Sequence, residues 1–101
     1  MPRIELSPHA VDDLHTLIRT HSLPADTKGR VRRVLEPLAS FPYLGKELGG
    51  RWSKYRVLLG PWRWMLLAYR VDSAHDRVVV VTIQDARIST AATQDSSQPP
   101  Q

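Results

Sequence analysis

Apolar and polar positions change period twice along this chain. Arg3-Ile4-Glu5-Leu6 alternates with a period of two, which predicts a short strand with one buried face. At Ser7-Pro8 the period lengthens: serine is a favoured helix N-cap, and proline suits the first helical position. Ala10, Leu14, Leu17, Ile18 and His21 then follow the stripe of an amphipathic helix, and Pro24 closes it. Asp12 and Asp13 lie near its positive end, where their charge is favourable. A second helix is predicted from Ala25 or Asp26, burying Val31, Val34, Leu35 and Leu38 and exposing Lys28, Arg30, Arg32 and Arg33. Pro37 bends or ends it, because proline lacks a donor and disfavours a helical Glu36. Phe41-Pro42 is a firm stop.

Past a loop around Gly45, Gly49 and Gly50 the period returns to two. Strand-like runs cover residues 52–59, 62–71 and 77–83, the last carrying Val78-Val79-Val80-Val81, apolar on both faces. Gly60-Pro61 and residues 72–76 are short turns, so these runs predict an antiparallel meander. The order is β-α-α-β-β-β. This is an α+β fold, with a two-helix hairpin packed on one face of a small, mainly antiparallel sheet that the first strand joins. From Ser89 the composition is Ser, Thr, Gln, Ala and Pro, too polar to order itself. The expected organisation is one domain over residues 1–88 and a disordered tail over 89–101.

Composition narrows the partners. The 101 residues carry a formal charge of +4, which favours anionic partners. Cysteine is absent, so a cytoplasmic setting is expected for so small a domain. No apolar signal core opens the chain, and its longest apolar run, residues 64–69, is far too short for a bilayer.

Several chemistries find no support. His9, His15 and His21 are spaced by six, a rotation of about 240° around a helix, so they share no face. With His75 in a turn and no cysteine, neither a metal nor another cofactor is expected, and the histidines read as solvated. Ser7 is occupied as a cap, and no other serine has an evident base. Residues 44–51 lack the Gly-Lys-Ser/Thr ending of a phosphate loop.

The basic, aromatic stretch from 41 to 69 remains. Between Lys46 and Arg70 it holds six positive residues against one negative, interleaved with Trp52, Tyr55, Trp62 and Trp64. Such a surface suits a polyanion. By alternation, Trp52, Lys54, Arg56 and Leu58 share one face. If Arg56 and Arg63 point away from the helices, then Tyr55, Val57 and Leu59 join Trp64, Leu66 and Ala68 in the core. The alternative is a solvated basic face with no ligand, and tryptophans that simply pack the sheet.

The element order resembles the RelE/ParE superfamily of bacterial type II toxins. So do residues 6–14, the turn Phe41-Pro42-Tyr43-Leu44-Gly45-Lys46-Glu47-Leu48, and Tyr55-Arg56-Val57 followed by Trp62-Arg63-Trp64. Tyr69-Arg70-Val71 and Val80-Val81-Thr82-Ile83 with Arg87 behind complete the likeness, which covers residues 3–89. The resemblance implies a small toxin held by an acidic cognate antitoxin. RelE-like members cut messenger RNA on the ribosome, and ParE-like members poison DNA gyrase. A ribosome-dependent mRNA interferase is the leading expectation, with gyrase inhibition or a simple nucleic-acid-binding module as alternatives. For RNA cleavage the resemblance assigns Arg56, Arg63 and Arg87 to the reacting phosphate; Lys46, Arg51, Trp52 and Lys54 of the basic stretch are the candidates for RNA binding. The family's usual C-terminal tyrosine has no counterpart after Arg87. This site requires the arginines to converge outward on one pocket.

Overall fold

The structure, a computed structural model, describes residues 1–87. The expected tail over 89–101 lies outside the described residues, as does the end of the expected domain at 88. Strand β1 (Arg3–Leu6) leads into helix α1 (Pro8–Thr20) and helix α2 (Thr27–Leu35), which runs on as a 3-10 turn over Glu36–Ala39. Strands β2 (Lys46–Glu47), β3 (Arg56–Leu59), β4 (Met65–Asp72) and β5 (Arg77–Asp85) follow. They form one sheet in the order β1-β5-β4-β3-β2, parallel between β1 and β5 and antiparallel elsewhere. The expected α+β architecture is therefore present, with β2 as an additional edge strand. No described helix is long and apolar enough to cross a membrane.

Local chemistry explains the helices. Ser7 Oγ accepts from the Ala10 N–H at 3.1 Å and also donates to the Val81 carbonyl at 3.1 Å, so one hydroxyl caps α1 and ties it to β5. Pro37 does what its missing donor dictates, tightening the end of α2 into the 3-10 turn. Beyond the end of β1, α1 covers the open edge of β5. There Asp13 Oδ2 accepts from the Ile83 N–H at 3.0 Å and from the Thr82 hydroxyl at 2.6 Å.

The expected strand faces are inverted. Met65, Leu67 and Tyr69 are wholly buried with Ala10, Leu14, Val31, Leu35 and Leu38 beneath the helices. Ala68 instead joins Val79, Val81 and Tyr55 on the opposite side of the sheet. Leu58 lies opposite Leu67 and Arg56 opposite Tyr69, so both belong to the helix-facing side, while Leu59 is 56% exposed. The reason is that both parities of β4 are apolar, and the larger side chains fill the deeper layer. A register shift also interrupts β5: Ala68 pairs with Thr82, but Tyr69 pairs with Val80. Val81 is the extra residue, and beyond it the phase of β5 reverses. Val78 and Val80 face the helices before it, Ile83 and Asp85 after it.

Replacing Asp13 with Ala leaves the Ile83 N–H and the Thr82 hydroxyl without their partner. Urea unfolding should show a loss of about 2 kcal/mol with an unchanged m value.

Candidate functional site

After the 3-10 turn the chain crosses back over β3 to form β2, and one contact fixes that crossing. The Gly45 N–H donates to the buried Tyr69 hydroxyl at 2.8 Å. A Cβ at position 45 would stand 2.7 Å from the Tyr69 ring and hydroxyl and 2.8 Å from the Val57 carbonyl, so only glycine permits this approach. Burial raises the Tyr69 hydroxyl pKa above its ordinary value, against the opposing pull of the Gly45 N–H and Arg56.

Arg56 extends the same node. Its Nη1 donates to the carbonyls of Gly45 at 2.9 Å and Tyr43 at 3.2 Å. Its guanidinium lies 5.1 Å from the centre of the Tyr43 ring, and Glu47 approaches it at 3.7 Å. Around this node Phe41, Tyr43 and Leu44 are 66%, 60% and 55% exposed. Exposed aromatics beside a fixed arginine are the composition of a protein-binding hot spot.

A second cluster forms at the far end of β4. Asp85, brought to the helix side by the phase reversal, accepts from Arg87 Nε at 3.0 Å and Nη2 at 2.9 Å, and lies 3.0 Å from His21 Nε2. The Arg87 guanidinium holds its carboxyl well below the usual carboxylate range, helped by the Arg87 N–H and His21. His21 stacks on Trp64 at 4.5 Å between ring centres, and the Arg87 guanidinium lies 5.2 Å from the same ring. Trp64 stacks on Trp62 at 6.2 Å, and Arg30 sits 5.7 Å from the Trp62 ring. His21 is thus held between α1 and β5 and is not a solvated surface histidine.

The proposed arginines do not meet. Arg56 lies opposite Tyr69 and Asp85 opposite Met65, four residues along β4, which is about 13 Å at the rise of a strand. Arg63 stands exposed in the turn between β3 and β4. Lys46 shares the β2–β3 edge with Arg56, one pair along. Arg51 and Trp52 lie in a 3-10 turn before β3, and exposed Lys54 follows it. Trp52 packs against Tyr55 at 5.4 Å. The structure therefore puts Lys46 and Arg56 on successive pairs of one edge but on opposite faces, sets Arg51, Trp52 and Lys54 in the adjoining turn, and places Arg63 in the β3–β4 turn and Arg87 beside Asp85. Among the described residues, no group of three or more histidine or acidic side chains could hold a metal ion.

Sequence reasoning missed Tyr43, Gly45 and Tyr69 as one node and His21 with Asp85 as another. Nothing local links residues 24 or 64 positions apart. One signal was present: Asp85 is a carboxylate at the end of a strand whose middle, Val78 to Val81, is wholly apolar.

The family model of the ParE toxin of type II toxin-antitoxin systems, parDE, matches residues 4–89. Solved structures share the fold. The RelBE2 toxin-antitoxin complex of Mycobacterium tuberculosis contains a chain 23% identical, with a TM-score of 0.63 over 84% of this chain and 99% of that one. A conserved hypothetical protein of Helicobacter pylori is 22% identical, with a TM-score of 0.61 over 86% and 97%. A metal-bound toxin of Helicobacter pylori is 17% identical, with a TM-score of 0.53 over 86% and 97%. No curated protein matches significantly.

Two outcomes are expected of these nodes. Gly45→Ala should destabilise the domain by about 1–3 kcal/mol through overpacking, and Tyr69→Phe by a similar amount through the unpaired Gly45 N–H, both read from denaturant midpoints. The second outcome concerns acid. Asp85 is depressed as described, and Asp72 is lowered from 3.8 to about 2 by hydrogen bonds from Arg77 and His75. Depressed carboxyls stabilise fully above the unfolded value near 3.8 and lose that contribution as pH falls toward about 2. The urea midpoint should drop across this window, and Asp85→Asn should start lower at neutral pH and drop less.

Proposed function

The chain belongs to the ParE toxin family of type II toxin-antitoxin systems, and on that footing we propose that it arrests growth by binding a gyrase-type target, not by cutting RNA. The observation that carries this reading is the separation of Arg56 from Arg87. Metal-free cleavage by a 2′-hydroxyl needs several cations on one phosphate as charge develops. Here Arg56 donates to two backbone carbonyls beside the middle of β4, and Arg87 to Asp85 at its Met65 end. The exposed Phe41, Tyr43 and Leu44 offer what a protein target needs, apolar anchors held in a rigid loop.

The reading also takes an acidic antitoxin as partner. A groove of about 400 Å³ lies between α1 and α2, lined by Ile4, Leu6 and Leu14 and by two cations, Lys28 and Arg32, against one carboxylate, Glu36. Its shape and charge suit an amphipathic segment that carries carboxylates and folds on binding.

Induction of the chain without its antitoxin should raise DNA breaks and the SOS response before protein synthesis falls, as read by pulse-labelling. Pairing Phe41→Ser with Tyr43→Ser should weaken the arrest about tenfold while circular dichroism stays native. If translation stops first and messenger RNA is cut, the RNA-cleavage reading replaces this one. In it Arg56, Arg63 and Arg87 serve the phosphate, and Lys46, Arg51, Trp52 and Lys54 hold the RNA.

A further inference from the structure

Helix α2 carries Lys28, Arg30, Arg32 and Arg33 and no acidic residue between its ends. At about 100° per residue these cations divide into two groups. Lys28 and Arg32 line the α1–α2 groove. Arg30 and Arg33, three apart, lie on another side of the helix, and Arg30 is the cation over Trp62. Arg63 follows Trp62 in the β3–β4 turn, and the 64% exposed Arg87 side chain lies against the neighbouring Trp64. Arg30 and Arg87 thus flank the stacked Trp62 and Trp64, Arg33 lies one turn along α2 from Arg30, and exposed Arg63 sits in the turn between the two tryptophans. Their acidic neighbours are Asp26, which pairs with Arg30 and feels the Arg33 charge, Asp85, which pairs with Arg87, and exposed Glu36, three residues after Arg33. Arg33 and Arg63 have no ion-pair partner among the described residues.

We propose that this surface, α2 with the β3–β4 turn, docks on the phosphate backbone of duplex DNA. The tryptophans choose the duplex over a single strand. Single strands are held by bases stacking on open aromatic faces. Here Trp62 is covered by Arg30 and Trp64, while Trp64 is taken by His21, Trp62 and Arg87. What remains for a ligand is charge, spread along a helix and a turn, and charge alone reads the backbone. The inference deepens the reading above, since a topoisomerase poison acts on a protein bound to DNA. It is tested without the topoisomerase, so the two can fail separately.

The test is fluorescence anisotropy of the full chain with a labelled mixed-sequence duplex of about 20 base pairs, across a salt series. Three phosphate contacts, from Arg30, Arg33 and Arg63, give a slope of log K against log salt of about −2.7, and the pair Arg33→Ala with Arg63→Ala should flatten it by about 1.8. The pair Lys46→Ala with Lys54→Ala, at the β2–β3 edge, should leave it unchanged, with thermal melting confirming that both variants fold. A flattening caused by the second pair instead, equal or tighter binding to single-stranded RNA of the same length, or salt-independent binding would each overturn the proposal.

Discussion

One extra residue in β5 determines where the chemistry of this domain lies. Up to Val80 the strand alternates in the phase set by its parallel pairing with β1; past Val81 it alternates in the other. The insertion is held from the α1 side, where Ser7 takes the Val81 carbonyl and Asp13 takes the Ile83 N–H and the Thr82 hydroxyl. Those groups lie past the end of β1 and would otherwise be an unpaired, partly buried edge, at a cost of a few kcal/mol. The phase change carries Asp85 to the helix side, where it meets His21 and fixes Arg87. The late arginine that the family resemblance directs to substrate is in this chain bonded to Asp85 and laid against Trp64.

The elements were legible because their signals are local. Ser7-Pro8 starts α1, Pro37 tightens the end of α2, and the alternation of Arg3 to Leu6 marks β1. The faces were not legible. In β4, Leu66 and Ala68 are as apolar as Met65 and Leu67, so alternation offers two equivalent solutions, and the requirement that Arg56 point outward selected the wrong one. Only the third dimension resolves it: the Tyr69 hydroxyl needs a buried partner, and the Gly45 N–H beneath the returning loop supplies it. A two-residue β2 and a one-residue bulge leave no periodic trace. The convergence of the candidate cations rested on those faces, and it failed with them.

The fates of the arginines also separate two kinds of positive charge. Arg56 and Arg87 each make charge-assisted hydrogen bonds to the protein. Turning either toward a phosphate would forfeit them. A clamp on a developing phosphorane must be preorganised, with donors already aimed where charge appears. Arg56 and Asp85, the partner of Arg87, stand instead opposite positions about 13 Å apart along β4, and both arginines are already bonded within the protein.

Arg33 and Arg63 face no such cost, but nothing holds them in one geometry either. A cation that is free and mobile contributes to affinity through counterion release and contributes little to catalysis, which depends on fixed position. The same contrast holds for the apolar groups. Phe41, Tyr43 and Leu44 are exposed on a loop that the Gly45–Tyr69 contact makes rigid, so presenting them to a partner costs little ordering entropy. The anchors stand on a loop with fixed contacts, and the cations without ion-pair partners stand apart from it. That division suits a protein that recognises a large, anionic, preformed target over one that remakes a bond.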